Sequence, residues 1–241
     1  VVDVVDGDTV TLASGAAVRL VGVQAPKLPL GRPGFVEWPL AKQAKQKLYD
    51  LLMNRPVRLF YGGRRFDRYG RKLAQLWRAD KHGQPELWVQ GALLEAGLAR
   101  VYTFADNRAL ARDMLARERG ARRNAAAMWR DDFYQVRVPE DTDRLIDTFQ
   151  VVAGTVVSTA VVRGRGYINF GEDWHTDFTV ALAPKVLRQY PELAAVLPSY
   201  EGKKIRVRGW IKRFNGPMIE VTHPEQIEFA AGDDQDSGAN D

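Results

Sequence analysis

Two carboxylates stand one residue apart in Asp6-Gly7-Asp8, within the run Asp3-Val4-Val5-Asp6-Gly7-Asp8-Thr9-Val10. The valines on either side have strand character, and the polar cluster between them reads as a tight turn. Carboxylates that close together must be hydrated, hydrogen-bonded, or neutralised by a cation or an arginine. Taken alone, the cluster is equally an ordinary solvated Asp-Gly turn. Arg19 poses the complementary problem, because it sits inside the apolar run Val18-Arg19-Leu20-Val21-Gly22-Val23. A guanidinium in a central strand needs an anionic partner, either a side chain such as Asp67 or a phosphate. A third stretch, Gly62-Gly63-Arg64-Arg65-Phe66-Asp67-Arg68-Tyr69-Gly70-Arg71, is a basic turn region. Other chemistry has little support. His82, His175 and His223 lack metal-ligand spacing, and the absence of cysteine excludes disulfides, Cys-ligated zinc and thiol catalysis.

Strands predicted at Val1–Val5, Thr9–Ala13 and Ala17–Val23 carry the acidic turn and Arg19. A Pro- and Gly-rich loop from Gln24 to Pro39 follows, too long for a simple connector. Helical spacing of Leu40, Ala44, Leu48, Leu51 and Leu52 predicts a helix over 40–54. Val57–Tyr61 and Leu73–Trp77 read as a hairpin around the basic turn. Further helices are expected over Leu87–Ala99 and Asn107–Met128, the second with Asp106 as N-cap. Its late arginines, Arg117, Arg119, Arg122 and Arg123, suit the negative end of the helix dipole as well as they suit phosphate.

The 241 residues are 45% hydrophobic and 27% charged, enough for one large or two small globular domains. The net charge of +5 is unevenly spread. Residues 1–130 carry 23 Lys+Arg against 12 Asp+Glu, whereas residues 131–241 carry 12 against 18. A basic first half points to a polyanion such as nucleic acid, or to a solvated basic surface. No apolar run is long enough to span a membrane. The chain opens on Val1 within a strand, which suggests a removed upstream segment and, with no cysteine, is compatible with export as well as with the cytoplasm.

After a polar linker over 131–148, a second β-rich domain is expected over 149–230. Val151–Val162, Tyr167–Phe170, Phe178–Leu182, Ile205–Phe214, Pro217–Val221 and Ile227–Phe229 read as strands. A helix over Val186–Leu197 is interrupted by Pro191. That element order is the order of a small OB-like β-barrel. Tyr167, Phe170 and Trp174 are candidate stacking platforms for single strands, or else barrel core. Residues 231–241 read as a disordered acidic tail.

Three signatures lie on the first 130 residues: Asp6-Gly7-Asp8-Thr9-Val10, Val18-Arg19-Leu20-Val21-Gly22-Val23-Gln24-Ala25-Pro26, and Asp67-Arg68-Tyr69-Gly70-Arg71. Together with Ala92-Leu93-Leu94-Glu95-Ala96-Gly97-Leu98-Ala99 and Trp129, they resemble the staphylococcal nuclease (thermonuclease-like) family over residues 1–130. The resemblance implies an α+β, mainly β fold: an OB-type five-stranded barrel capped by three helices, cutting DNA or RNA phosphodiesters with Ca²⁺. It implies Asp8 as a metal ligand, Arg19 and Arg71 as phosphate-clamping catalytic arginines, and Arg68 and Tyr69 as substrate contacts.

The sequence departs from that family where the third strand ends. Gln24 stands in place of a second metal-binding aspartate, and Lys27 in place of the catalytic glutamate. The Gln24 amide oxygen and the Ala25 carbonyl are uncharged candidate ligands. Protonated Lys27 takes up no proton from water and becomes a substrate-side cation, with Glu37 as a displaced base. Loss of a general base typically costs about 10²–10⁴-fold in rate. Two readings therefore stand: a divergent calcium-dependent nuclease of reduced or altered activity, or a nucleic-acid-binding or protein-interaction module that does not cut.

Overall fold

The computed structural model describes residues 1–173 and 175–230. Trp174 and the acidic segment 231–241 lie outside the described residues. The chain divides into two compact units, Val1–Tyr134 and Gln135–Asp241. Both are mixed α and β, the first with strand and helix in nearly equal measure and the second mostly sheet.

The first unit begins with β1 (Asp3–Asp6), β2 (Thr9–Thr11) and β3 (Ala17–Leu20) in antiparallel succession. Gly7, in the first turn, is required by close packing. A Cβ there would lie 2.7 Å from the side chains of both Ala25 and Ala44. The apolar run expected as one strand over 17–23 is broken after Leu20. Gly22 takes φ +83°, a conformation open to glycine, and its α-carbon faces Met114. The chain thereby leaves the first sheet, and β4 (Gly22–Gln24) pairs with β8 (Arg100–Tyr102) instead.

Between them come α1 (Ala41–Leu52), β5 (Val57–Phe60), β6 (Lys72–Ala79), β7 (Pro85–Trp88) and α2 (Val89–Glu95). The helix α3 (Ala111–Arg123) follows β8. The large sheet runs β1-β2-β3-β6-β5 with β7 also beside β6, and β3–β6 is its parallel pair. The expected closed five-stranded barrel is corrected: among the described residues the sheet is open, because the Gly22 turn diverts the second half of its third strand. Three helices accompany it, as expected. Ala41, Ala44, Leu48 and Leu52 bury one face of α1, at the spacing that one side of a helix presents. They share a core with Val4, Val10, Val18, Leu20, Leu76, Leu93 and Leu94. Burial of each large side chain there contributes roughly 1.5–3 kcal/mol.

The start of α3 differs from expectation. Its N-cap is Leu110, without a side-chain cap, and Asp106 lies outside the helix. Residues 106 and 107 are engaged elsewhere. The Asp106 carbonyl accepts from the Arg64 N–H, and Asn107 Nδ2 donates to the Arg64 carbonyl at 2.8 Å. Gly63 permits this, since a Cβ at that position would lie 2.1 Å from the Asp106 oxygen. The segment before α3 therefore fastens down the root of the basic hairpin loop.

The second unit contains β9 (Phe149–Thr155), β10 (Ser158–Val162), β11 (Arg165–Asn169), β12 (Thr179–Leu182), β13 (Lys204–Phe214), β14 (Gly216–Val221) and β15 (Ile227–Phe229). Between β12 and β13 lie the short helices α4 (Pro184–Gln189) and α5 (Pro191–Val196), separated where Pro191 supplies no N–H. The strands form one sheet in the order β10-β11-β12-β14-β13-β15, with β9 also on β13. This too is open among the described residues, so the expected second barrel is corrected to an open seven-stranded sheet. The long β13 pairs through its first half with β9 and β15 and through its last residues with β14. Ile168, Val180, Leu182, Ile205, Ile211 and Ile219 form the core beneath it, with Leu187, Leu193 and Leu197 from the helical segment.

Candidate nucleic-acid interface

Asp8 is fully buried, and every strong contact of its carboxylate is internal. Lys27 Nζ donates to both oxygens, at 2.7 and 2.6 Å, and lies 3.6 Å from Asp6 Oδ2. The Ala25 N–H donates to Asp8 Oδ2 at 2.8 Å, and Arg19 Nη2 is 3.1 Å from the same oxygen. Asp6 Oδ1 accepts the Asp8 N–H at 3.0 Å, which closes the turn. Two carboxylates thus face two cationic side chains, so the formal charges balance.

Burial pushes the Asp8 carboxyl up, but the Arg19 and Lys27 charges and the Lys27 and Ala25 hydrogen bonds jointly outweigh it. The result lies below the ordinary carboxylate range. Asp6 goes the other way: burial and the neighbouring Asp8 charge raise it, against the opposing pull of Lys27 and Arg19.

The remaining donors of Arg19 also turn inward. Its Nη1 donates to the Leu20 carbonyl at 2.6 Å and its Nη2 to the Val23 carbonyl at 2.8 Å. Arg19 therefore finds its anion in Asp8, and Asp67 pairs elsewhere. Gln24 faces Arg100, its antiparallel register partner across β4 and β8. Its Oε1 accepts from Arg100 Nε at 2.9 Å and Nη2 at 2.7 Å. Glu37 faces Lys42 across 3.8 Å in a surface pair, with no contact to the buried Asp8 cluster among the described residues.

These residues do not fit a calcium ion. The Asp8 oxygens are occupied by an ammonium, the Gln24 oxygen by a guanidinium, and a hard cation requires several oxygen ligands. Among the described residues, no group of three or more His, Cys, Asp or Glu is placed to hold a metal.

The loop between β5 and β6 is built in the opposite manner. Asp67 orders it from within. Its Oδ1 accepts the N–H groups of Tyr69 and Arg71 at 2.9 and 3.0 Å, and its Oδ2 accepts Arg71 Nε at 2.7 Å. Gly70 supplies the left-handed turn residue at φ +78°. Burial disfavours the Asp67 charge, but the hydrogen bonds from Arg71 and Tyr69 and the Arg71 charge jointly outweigh it and lower its pKa.

Only Nε of Arg71 is engaged in this way, so its Nη edge carries no hydrogen bond among the described residues. Around it, cations lie over aromatic rings. Arg68 and Arg71 stand 4.7 and 5.5 Å from the Tyr69 ring, Arg65 lies 5.2 Å from Tyr61, and Lys72 lies 5.5 Å from Phe66. Tyr69 is 68% exposed and Phe66 49%.

The structure thus separates the expected site residues into two groups. Asp8, Arg19, Ala25 and Lys27 form one closed cluster, with Gln24 adjacent in sequence but turned to Arg100. Arg68, Tyr69 and Arg71 form an exposed surface, joined by Arg64, Arg65, Phe66 and Lys72. In the second unit Phe170 lies in the core against Phe178, at 5.2 Å between ring centroids, whereas Tyr167 is half-buried. Sequence reasoning overlooked Arg100 and Asn107. Their partners lie far away in the chain, and only strand register or loop packing reveals them.

Residues 17–131 match the family described as staphylococcal nuclease homologue. The matched span starts after the Asp6-Gly7-Asp8 turn. The thermonuclease of Staphylococcus intermedius is 33% identical over 107 residues, covering 43% of this chain and 59% of that protein. The thermonuclease of Staphylococcus hyicus is 31% identical over 110 residues, covering 44% and 60% respectively. The chain thus spans about 60% of the length of these relatives. Residues 17–131 are a staphylococcal nuclease-like segment.

Proposed function

We propose that the nuclease-like segment binds DNA or RNA through the β5–β6 hairpin loop and does not cut it by a calcium-dependent route. The observation that carries this reading is the Lys27 ammonium on both oxygens of Asp8. A lysine there supplies the neutralising charge that a metal ion would otherwise bring. It polarises no water and takes up no proton from one.

Of the two arginines expected to clamp phosphate, Arg19 is consumed inside the chain and Arg71 supports the reading. Arg71 offers a planar guanidinium edge suited to phosphate oxygens, held at a fixed angle by Asp67. Arg64, Arg65, Arg68 and Lys72 add positive charge, and the exposed Tyr69 and Phe66 rings offer stacking faces to unpaired bases. The thermonuclease relatives and the basic first half of the chain support a nucleic-acid partner. Hydrolysis by a relocated base is supported less well, since Glu37 faces Lys42 at the surface.

The test is fluorescence anisotropy with labelled single-stranded DNA and RNA across a salt series, paired with a cleavage assay in calcium or chelator. Salt-sensitive binding and intact oligonucleotide at high protein concentration are expected. Cleavage that chelator abolishes contradicts the reading, as does an absence of binding at low salt.

A further inference from the structure

Where the sheet of the second unit runs through β10, β11 and the β13–β14 hairpin end, one face lies on the core and the other is more exposed, and the outer face has an unusual composition. Along β11, Ile168 points into the core while Arg165, Tyr167 and Asn169 point out. Strand register continues this outer face sideways. One row runs Ser158, Asn169, Thr179, Met218, Lys212, and the next begins Ala160, Tyr167, Ala181, Glu220.

A cleft of about 400 Å³ opens on this face, lined by Ala160, Val162, Tyr167, Phe214 and Met218, with the polar Asn169, Thr179 and Asn215 also in its wall. Phe214 is 67% exposed, a heavy load of uncovered aromatic surface for one side chain. Two cations flank the cleft, and they share a single carboxylate. Arg165 and Lys212 lie 3.7 and 3.6 Å from Glu220, so the local charge remains positive.

We propose that this face is a second nucleic-acid site, binding single strands with one base seated against Tyr167 and Phe214. The chemistry selects this occupant. Its aromatic faces suit a planar heterocycle of any sequence. Asn169 is joined to Ser158 and Thr179 by long bonds of 3.2 and 3.4 Å, so its amide can be recruited by the hydrogen-bonding edge of an unpaired base. The excess positive charge of Arg165 and Lys212 over Glu220 complements a phosphate backbone. A peptide adding as a strand would pair along the outer edge of β10, whereas this cleft opens on the sheet's face, over β10, β11, β12 and β14. The site is separate from the β5–β6 loop and does not depend on the reading of the first unit.

The experiment uses the full chain carrying Arg71→Ala, to mute the loop, with oligothymidylate bearing 5-iodouracil. After irradiation, crosslinked peptides are mapped by mass spectrometry, and affinity is measured in parallel by anisotropy. Crosslinks are expected at Tyr167 or in the peptide around Phe214. Tyr167→Leu and Phe214→Ala are each expected to weaken binding roughly ten-fold, while Tyr167→Phe stays near the parent. Melting temperatures verify that the variants are folded. Crosslinks confined to residues 1–134 would overturn the proposal, as would unchanged affinity in both Tyr167→Leu and Phe214→Ala. An Arg71→Ala change that itself leaves affinity unaltered counts only against the loop.

Discussion

The Asp8 cluster and the Arg71 loop belong to the same unit and both arrange arginines beside aspartates, yet they are built in opposite ways. At Asp8 the charges cancel internally: Lys27 and Arg19 are consumed by Asp8, Asp6 and backbone carbonyls, and the carboxylate is sealed from water. At Arg71 a single aspartate fixes the turn and takes one guanidinium nitrogen, leaving the other donors outward. The first arrangement stabilises the fold. The second leaves the Arg71 Nη edge open at the surface. Residues equally suggestive in sequence thus divide into those whose charge is paired inside the chain and those that leave donors facing outward.

Substitutions sharpen this contrast, beginning with the one expected to act most strongly. Lys27→Met leaves the Asp8 carboxylate buried and under-compensated, and should cost about 3–5 kcal/mol in urea denaturation. The matched change Arg71→Met removes a partly exposed pair and should cost under about 1 kcal/mol. If the two losses are equal, the contrast fails. Gln24→Ala removes the acceptor of two Arg100 bonds within the protein, and a loss of about 2 kcal/mol is expected by the same method. Arg71→Ala should weaken oligonucleotide binding roughly ten-fold and reduce the salt slope by about 1, as loss of one phosphate contact predicts.

The smallest effect is a pH dependence. Asp8, held below its unfolded value of 3.8, contributes stability that is fully present above that value and is lost as pH falls through the lower folded value. Asp6, held above 3.8, acts in the opposite sense: stability declines as pH rises from there through its raised folded value. Asp6→Asn keeps an acceptor for the Asp8 N–H and removes that decline. Its stability at neutral pH should equal or slightly exceed the parent's, measured by thermal unfolding across pH.

Local features were legible in the sequence. The Asp6-Gly7-Asp8 turn, the amphipathic α1 and the hairpin around Arg64–Arg71 depend on neighbouring residues, and the chain's order announces them. Features set by distant packing were not. Arg100 meets Gln24 only because β4 and β8 pair in one register, across 76 residues of chain. The break at Gly22 looked like the middle of an apolar strand, since a positive φ leaves no trace in hydrophobic pattern. Asp106 fitted a helix cap by type, but the loop at Arg64 claims its carbonyl. Gln24 and Lys27 stood out in the sequence only as departures that the family resemblance implies. That Lys27 turns inward to occupy both Asp8 oxygens was a matter of geometry alone.

The most direct test of the internal-cation account is thermal unfolding of the full chain with calcium or chelator. A metal bound to the native state at about 100 times its Kd raises stability by about 2.7 kcal/mol. With Lys27 in place, the melting temperature is predicted to be the same in calcium and in chelator. A calcium-dependent rise that disappears in Asp8→Asn would contradict the account and return Asp8 to the role of a metal ligand.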